Sequence, residues 1–217
     1  MTRLEIDFVS DVVCPWCVIG LGALRAALAR NADVEAEIVF HPFELNPHMP
    51  REGQNIVEHV AEKYGATPER SEANRARIRE AAAAFGFTMN GDATSRIYNS
   101  FDAHRLLDWA RDAGAQAALK DALFRAYFTD RADIGDPRVL AATAAEVGLD
   151  RAGAEAVLGS DAHAEAVRAG EAFWHERGIA AVPSIIFDDR YLVQGAQPVE
   201  VFERVIRKLV ERQAATA

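Results

Sequence analysis

Cys14 and Cys17 are the only cysteines in the 217-residue chain, and only Pro15 and Trp16 lie between them. Two thiols at that spacing can carry out disulfide exchange. One attacks a disulfide sulfur as the thiolate, and the other is near enough to release the bound partner by closing an intramolecular disulfide. Before the pair, Leu4, Ile6 and Phe8 alternate with Glu5 and Asp7, and Val9 leads to a break at Ser10-Asp11, the pattern of a strand. After it, Val18, Leu21, Leu24, Ala27 and Leu28 recur at helical spacing. Cys14 therefore falls at the start of a helix, and Pro15 suits the first turn, where an amide has no helical partner. Unpaired amides and the positive end of the helix dipole favour thiolate there, so Cys14 is the predicted nucleophile, with an acidified thiol. Cys17, one turn in, is the predicted resolving thiol, covered and protonated until it is needed. Trp16 is the predicted apolar platform for substrate.

A zinc site is the competing use of such a pair. Structural zinc takes four ligands, and the histidines at 41, 48, 59, 104, 163 and 175 supply no second pair at companion spacing, so no metal is expected. A second signal is Ala181-Val182-Pro183-Ser184, directly before an apolar run through Phe187. Taken alone, Pro183 is a proline at a strand start, where no ladder hydrogen bond is lost.

The elements around these residues read as β-α-β, a long helical stretch, then β-β-α. The second strand runs from Val34 to Phe40 and stops at Pro42. Between about Asn46 and Gly178 strand patterns vanish, and helical spacings recur over Ile56 to Tyr64, Pro68 to Phe85, Arg96 to Ala113, Ala117 to Thr129, Pro137 to Val147 and Asp161 to Arg177. Ser184 to Phe187 and Tyr191 to Val193 flank a polar turn as a hairpin. Pro198 opens a last helix with Val201, Phe202, Val205, Ile206 and Leu209 on its inner face. The class is α/β, with residues 1–45 and 179–217 forming one domain and residues 46–178 an all-α insertion.

A formal charge of -9 and a pI near 5.2 oppose binding to phosphate backbones, so nucleic acid is not an expected partner. No apolar run approaches the roughly 18 residues of a membrane span, and Glu5 and Asp7 interrupt any leader-like segment at the start. A cytoplasmic protein is expected, a setting in which a structural disulfide is unusual.

The run Ser10-Asp11-Val12-Val13-Cys14-Pro15-Trp16-Cys17, the Val182-Pro183-Ser184 element and the stretch between them resemble the DsbA superfamily, and within it the FrnE-like branch. His41-Pro42-Phe43-Glu44-Leu45-Asn46-Pro47, Asn99 to Leu106 and Val193 to Gln197 add to the likeness. The resemblance implies a thioredoxin-like fold with a helical insertion and dithiol–disulfide chemistry in the cytoplasm. It implies a cis Pro183 opposite the active-site helix, leaving Val182 free to pair with a substrate strand. Pro15, Trp16, Val182, Pro183, His104 and Asn99 become candidate substrate-binding residues, the last two facing the groove from the helical side. No tightly bound cofactor is implied. The redox group is a Cys14–Cys17 disulfide, with glutathione as a reductant, and substrates are thiols or disulfides of protein or small-molecule origin. The family is compatible with a homodimer.

Asp7 is a candidate proton relay to Cys17 by analogy with buried acids of this superfamily, although strand alternation alone puts it on a solvated face. Kappa-class glutathione transferases and 2-hydroxychromene-2-carboxylate isomerases share the resemblance and typically have serine at the position of Cys14. A glutathione-dependent transferase or isomerase is therefore the alternative reading. A binding domain without enzymatic activity is disfavoured, because both cysteines are kept.

Overall fold

The computed structural model describes residues 2–216. Its main sheet is built on β1 (Thr2–Ser10), which is followed by α1 (Pro15–Ala29) and β2 (Val34–Pro42). β2 lies parallel to β1, in a register that pairs Phe8 with Phe40. After β2 come β3 (Gln54–Asn55), α2 (Ile56–Tyr64), α3 (Pro68–Ala83), β4 (Arg96–Ile97), α4 (Phe101–Asp112) and α5 (Gln116–Phe124). A π-helical turn over Arg125–Thr129 prolongs α5, and α6 (Pro137–Glu146), α7 (Arg151–Leu158) and α8 (Ala164–Glu176) follow. The chain then returns to the sheet as β5 (Ser184–Phe187) and β6 (Tyr191–Gln194) and ends in α9 (Val199–Thr216). The strand order is β2-β1-β5-β6, with β5 antiparallel to β1 and β6 antiparallel to β5. This is the thioredoxin-like β-α-β and β-β-α arrangement with a helical insertion.

Strand alternation divides the core. Leu4, Ile6 and Phe8 point to the face that carries α1 and α9, where they pack with Cys17, Leu21, Leu24, Phe202 and Ile206. Val9 points to the opposite face and meets Phe43, Trp174 of α8 and Ile186. The insertion has its own core, formed by Leu106, Leu107, Leu119, Leu123, Ile134 and Leu140 among others, and that core also takes in Val12 and Val13. The loop that delivers the cysteines is thus fastened into the helices rather than only to the sheet.

Two local departures from helical periodicity are found. Arg96–Ile97 pairs with Gln54–Asn55 as a short antiparallel ladder, so α4 begins at Phe101, where the Asn99 side chain accepts from the Phe101 amide at 2.9 Å. The insertion is helical, with this one short ladder among its described residues. The additional helix α7 is capped by Asp150, whose carboxylate accepts from the Gly153 amide at 2.9 Å.

Gly20 fixes how closely α1 approaches the segment before β5. A Cβ there would lie 2.9 Å from Pro183 Cγ and 3.6 Å from the Ala196 backbone. Alanine favours a helix by about 1 kcal/mol over glycine, but the fixed pyrrolidine ring opposite cannot swing aside. Gly20→Ala is therefore expected to lose about 1–3 kcal/mol through overpacking. Urea denaturation checks this, and an equal or higher midpoint would contradict it.

Candidate active site

Cys14 is the N-cap of α1, with extended backbone (φ -90°, ψ 111°), and Pro15 occupies the first turn. The Cys14 amide donates to the Asp11 carbonyl at 3.2 Å, and the Cys17 amide donates to the Cys14 carbonyl at 3.1 Å, which winds the turn that aligns the two sulfurs. Both cysteines are free thiols. Cys17 is 0% exposed and Cys14 only 3%. The Cys14 thiol points at the Val182 carbonyl, with Sγ 3.8 Å from the oxygen. The Val182–Pro183 peptide bond is cis, and among the described residues neither the amide nor the carbonyl of Val182 enters a backbone hydrogen bond. The next carbonyl, that of Pro183, accepts from the Gly195 amide at 2.8 Å and ties this segment to the end of β6.

Burial pushes the Cys17 thiol well above the ordinary cysteine range, and the neighbouring Cys14 sulfur pushes it further; Lys120 acts in the opposite direction. The two sulfurs thus differ in their surroundings. One lies against the Val182 carbonyl at the helix start, and the other is sealed in the core, where burial favours its protonated form.

Trp16 is half-buried, and the Arg77 guanidinium of α3 sits 5.4 Å above the centre of its ring. Tyr64, at the end of α2, is 65% exposed, yet partial burial and the charge of Cys14 raise its hydroxyl above the usual tyrosine range.

Asp11 organises the loop from beneath. It is fully buried; one carboxylate oxygen accepts from the Val13 amide at 3.3 Å and the other from the Leu45 amide at 2.7 Å. His104 Nε2 lies 3.6 Å from the same carboxylate. Burial alone would raise the Asp11 carboxyl, but His104, the Leu45 amide and Ser100 outweigh it, and the group lies below the ordinary aspartate range.

Cys14, Pro15, Trp16, Val182 and Pro183 are brought together. His104 is not in the groove: it is 2% exposed and lies under the loop beside Asp11. Asn99 is spent on structure, accepting from the Phe101 amide and donating to the Met49 carbonyl at 3.5 Å. Asp7 is on the sheet face away from α1 and bonds His41 Nε2 at 2.7 Å, so it has no path to Cys17. Among the described residues, no group of three or more His, Cys, Asp or Glu is placed to hold a metal ion. Two fully buried charged residues escaped the sequence reading: Asp11 and Lys120. For Lys120 a signal existed, since it shares a helical stripe with Gln116 and Phe124 and so falls on the inner face of α5.

The fold and this site define a thioredoxin-type thiol protein, and a DsbA-like thioredoxin domain model matches residues 5–207. The chain belongs to that family. A probable DsbA oxidoreductase of Streptomyces coelicolor superposes with a TM-score of 0.89 at 33% identity, covering 94% of this chain and 89% of the other. The protein YwbO of Bacillus subtilis is 29% identical over 94% of this chain and 96% of its own length. Two further structures share the fold at 17% identity. One is a 2-hydroxychromene-2-carboxylate isomerase, with a TM-score of 0.69 over 98% of this chain and 99% of the other. The second is the cytosolic disulfide reductase DsbM of Pseudomonas aeruginosa with GSH, with a TM-score of 0.58 over 95% and 99%.

The lowered carboxyl of Asp11 ties stability to pH. A group held below its unfolded value stabilises the folded chain above that value, and the contribution is lost as pH falls through the folded one. Asp11→Asn is expected to lower the urea midpoint at neutral pH. The gap from the unsubstituted chain should narrow below about pH 3.9, where an unfolded aspartate takes up its proton. A gap that stays constant into strong acid would contradict this role.

Proposed function

We propose that this chain is a thiol–disulfide oxidoreductase in which Cys14 is the nucleophile and Cys17 the resolving thiol. One observation carries the reading: two free thiols a helical turn apart, one at the helix N-cap 3.8 Å from a backbone carbonyl that lies outside the strand ladder and the other fully buried. In the reducing direction the Cys14 thiolate attacks one sulfur of a substrate disulfide, forms a mixed disulfide and expels the other sulfur as a thiolate. Cys17 then loses its proton and attacks Cys14 Sγ. The Cys14–Cys17 disulfide forms, and the second substrate sulfur leaves with the electron pair. Run backwards, the same steps oxidise a dithiol substrate.

Val182, with its amide and carbonyl outside the backbone ladder, is the edge on which an extended substrate adds as a short strand. Trp16 and Pro15 line one side of that path. The substrate is a disulfide or dithiol of a peptide or small molecule, and glutathione serves as the reductant that returns the pair to dithiol. The motif and the matching stretches resemble the FrnE-like branch, which supports a role in the cytoplasm. Among the described residues no helix is long and apolar enough to cross a membrane.

Substrate trapping tests the assignment. Cys17→Ser should accumulate mixed disulfides on Cys14, and Cys14→Ser should accumulate none and lose insulin-reducing activity. A transferase or isomerase does not need the second sulfur. Glutathione conjugation that survives Cys17→Ser with no trapped partner would replace this reading with the alternative.

A further inference from the structure

Trp16, between the two cysteines, carries a cation from another element. The Arg77 guanidinium of α3 lies 5.4 Å from the centre of its ring, the separation of a cation–π contact. The buried residues of α3 bring it there: Ile78 and Ala82 enter the core that holds Cys14, Cys17 and Leu21, and Trp16 packs against the same core. Gly22 of α1 lets the end of α3 come close, since a Cβ on it would lie 2.8 Å from Phe85 Cβ. Arg77, the neighbour of Ile78, is left exposed beside the indole.

The arginines of α3 divide by partner. Arg75 donates to Glu72 and Ser71, and Arg79 donates to Glu72 and to the Gly91 carbonyl. Arg77 enters no ion pair among the described residues, and its hydrogen bond goes from Nη2 to the neutral Asn74 Oδ1 at 3.2 Å. The rest of its N–H donors have no acceptor among those residues. Stacking on the indole restricts the side chain beforehand, so less freedom is lost when an oxyanion binds the planar fork. A cation is thereby held ready beside the cysteine turn of a chain whose net charge is -9 and whose overall field repels anions.

We propose that Arg77 determines substrate specificity by pairing with a carboxylate close to the reactive sulfur, so that acidic thiols and disulfides are the preferred substrates. This rests on the exchange reading given above and deepens it. A substrate whose sulfur is on Cys14 and whose backbone follows the Val182 edge has Trp16 beside it, and a carboxylate next to its cysteine meets the guanidinium over the indole. Two parallel N–H···O bonds from the fork receive that carboxylate. Arg77 touches the residue that flanks the reacting sulfur and not the sulfur, so it acts on capture of the substrate and takes no part in the bond exchange. The carboxylate has two sources of the same chemistry: an acidic side chain of a peptide, or a terminus of glutathione.

Three disulfides that differ in one residue test the assignment: the homodimers of acetyl-Glu-Cys-Gly-amide, acetyl-Gln-Cys-Gly-amide and acetyl-Lys-Cys-Gly-amide. Glutathione disulfide and its ethyl ester form a second set. The second-order rate of oxidation of the reduced chain by each is read by intact mass after acid quenching. The unsubstituted chain should react about fivefold faster with the glutamate dimer than with the glutamine dimer, the scale of one solvent-accessible ion pair, and slowest with the lysine dimer. The preference should shrink as salt is raised, because the pair is open to screening. Arg77→Gln should bring the glutamate rate down to the glutamine rate, and Arg77→Glu should make the lysine dimer the fastest. Arg70, exposed two turns earlier on α3, is the control, and Arg70→Gln should keep the preference.

Levelling of the peptide dimers by Arg77→Gln assigns the carboxylate to a peptide side chain. Levelling of glutathione disulfide with its ester alone assigns it to glutathione, and levelling of neither set overturns the proposal. An Arg77 that only props Trp16 would, when replaced, slow every disulfide alike and preserve their order, which would overturn it too. So would loss of the preference in Arg70→Gln, since a general positive field and not one guanidinium would then be responsible. A reduced chain that none of these disulfides oxidises contradicts the exchange reading itself, whereas oxidation at equal rates contradicts only the role of Arg77.

Discussion

The arrangement depends on a single constraint: the helix that carries the cysteines must begin at Cys14 while pressed against Pro183. Val12 and Val13, the two residues before the helix, are buried in a core made of insertion helices, so the loop cannot retract. Gly20 removes the side chain that would hold α1 off the pyrrolidine ring. Between these two restraints Cys14 Sγ is left facing the Val182 carbonyl, and Cys17 is turned into the packing beneath Phe8 and Leu21. Neither half of the sheet domain supplies this placement without the insertion.

Burial of the second sulfur then determines the electrostatics. A thiol with no exposed surface resists ionisation, so whatever allows Cys17 to react must be provided inside the core. Ionisable groups in that space come from three separate elements: Asp11 from the loop, His104 from α4 and Lys120 from α5. Two of the three belong to the insertion. The insertion therefore contributes buried ionisable groups to the interior as well as the core that fastens the cysteine loop.

Much of the fold could be read from the residues because its signals are local. Alternation marks β1, and the spacing of Leu21, Leu24 and Leu28 marks α1. The expected span of α2 matches its observed limits, which are set by the Asn55 cap and by Gly65 in the left-handed region. The ladder of Gln54–Asn55 with Arg96–Ile97 has no periodicity to detect, since two-residue strands are defined only by a partner forty residues away. The site divides in the same manner. Cys14, Cys17 and Pro183 carry chemistry in their residue type. Asp11 and Lys120 are charged residues whose burial only long-range packing reveals, and His104 and Asn99, expected to line the groove, are drawn instead into burial and local hydrogen bonding.

The central claim is that Cys14 and Cys17 form one redox couple. Equilibration of the unsubstituted chain in glutathione buffers of graded ratio, followed by acid quenching and intact-mass measurement, tests it most directly. The account predicts a reversible loss of two hydrogens per chain along a two-electron curve, with only a minor population carrying glutathione. A chain that stays dithiol at every ratio, or that accumulates stable glutathione on Cys14 without closing the disulfide, would contradict it.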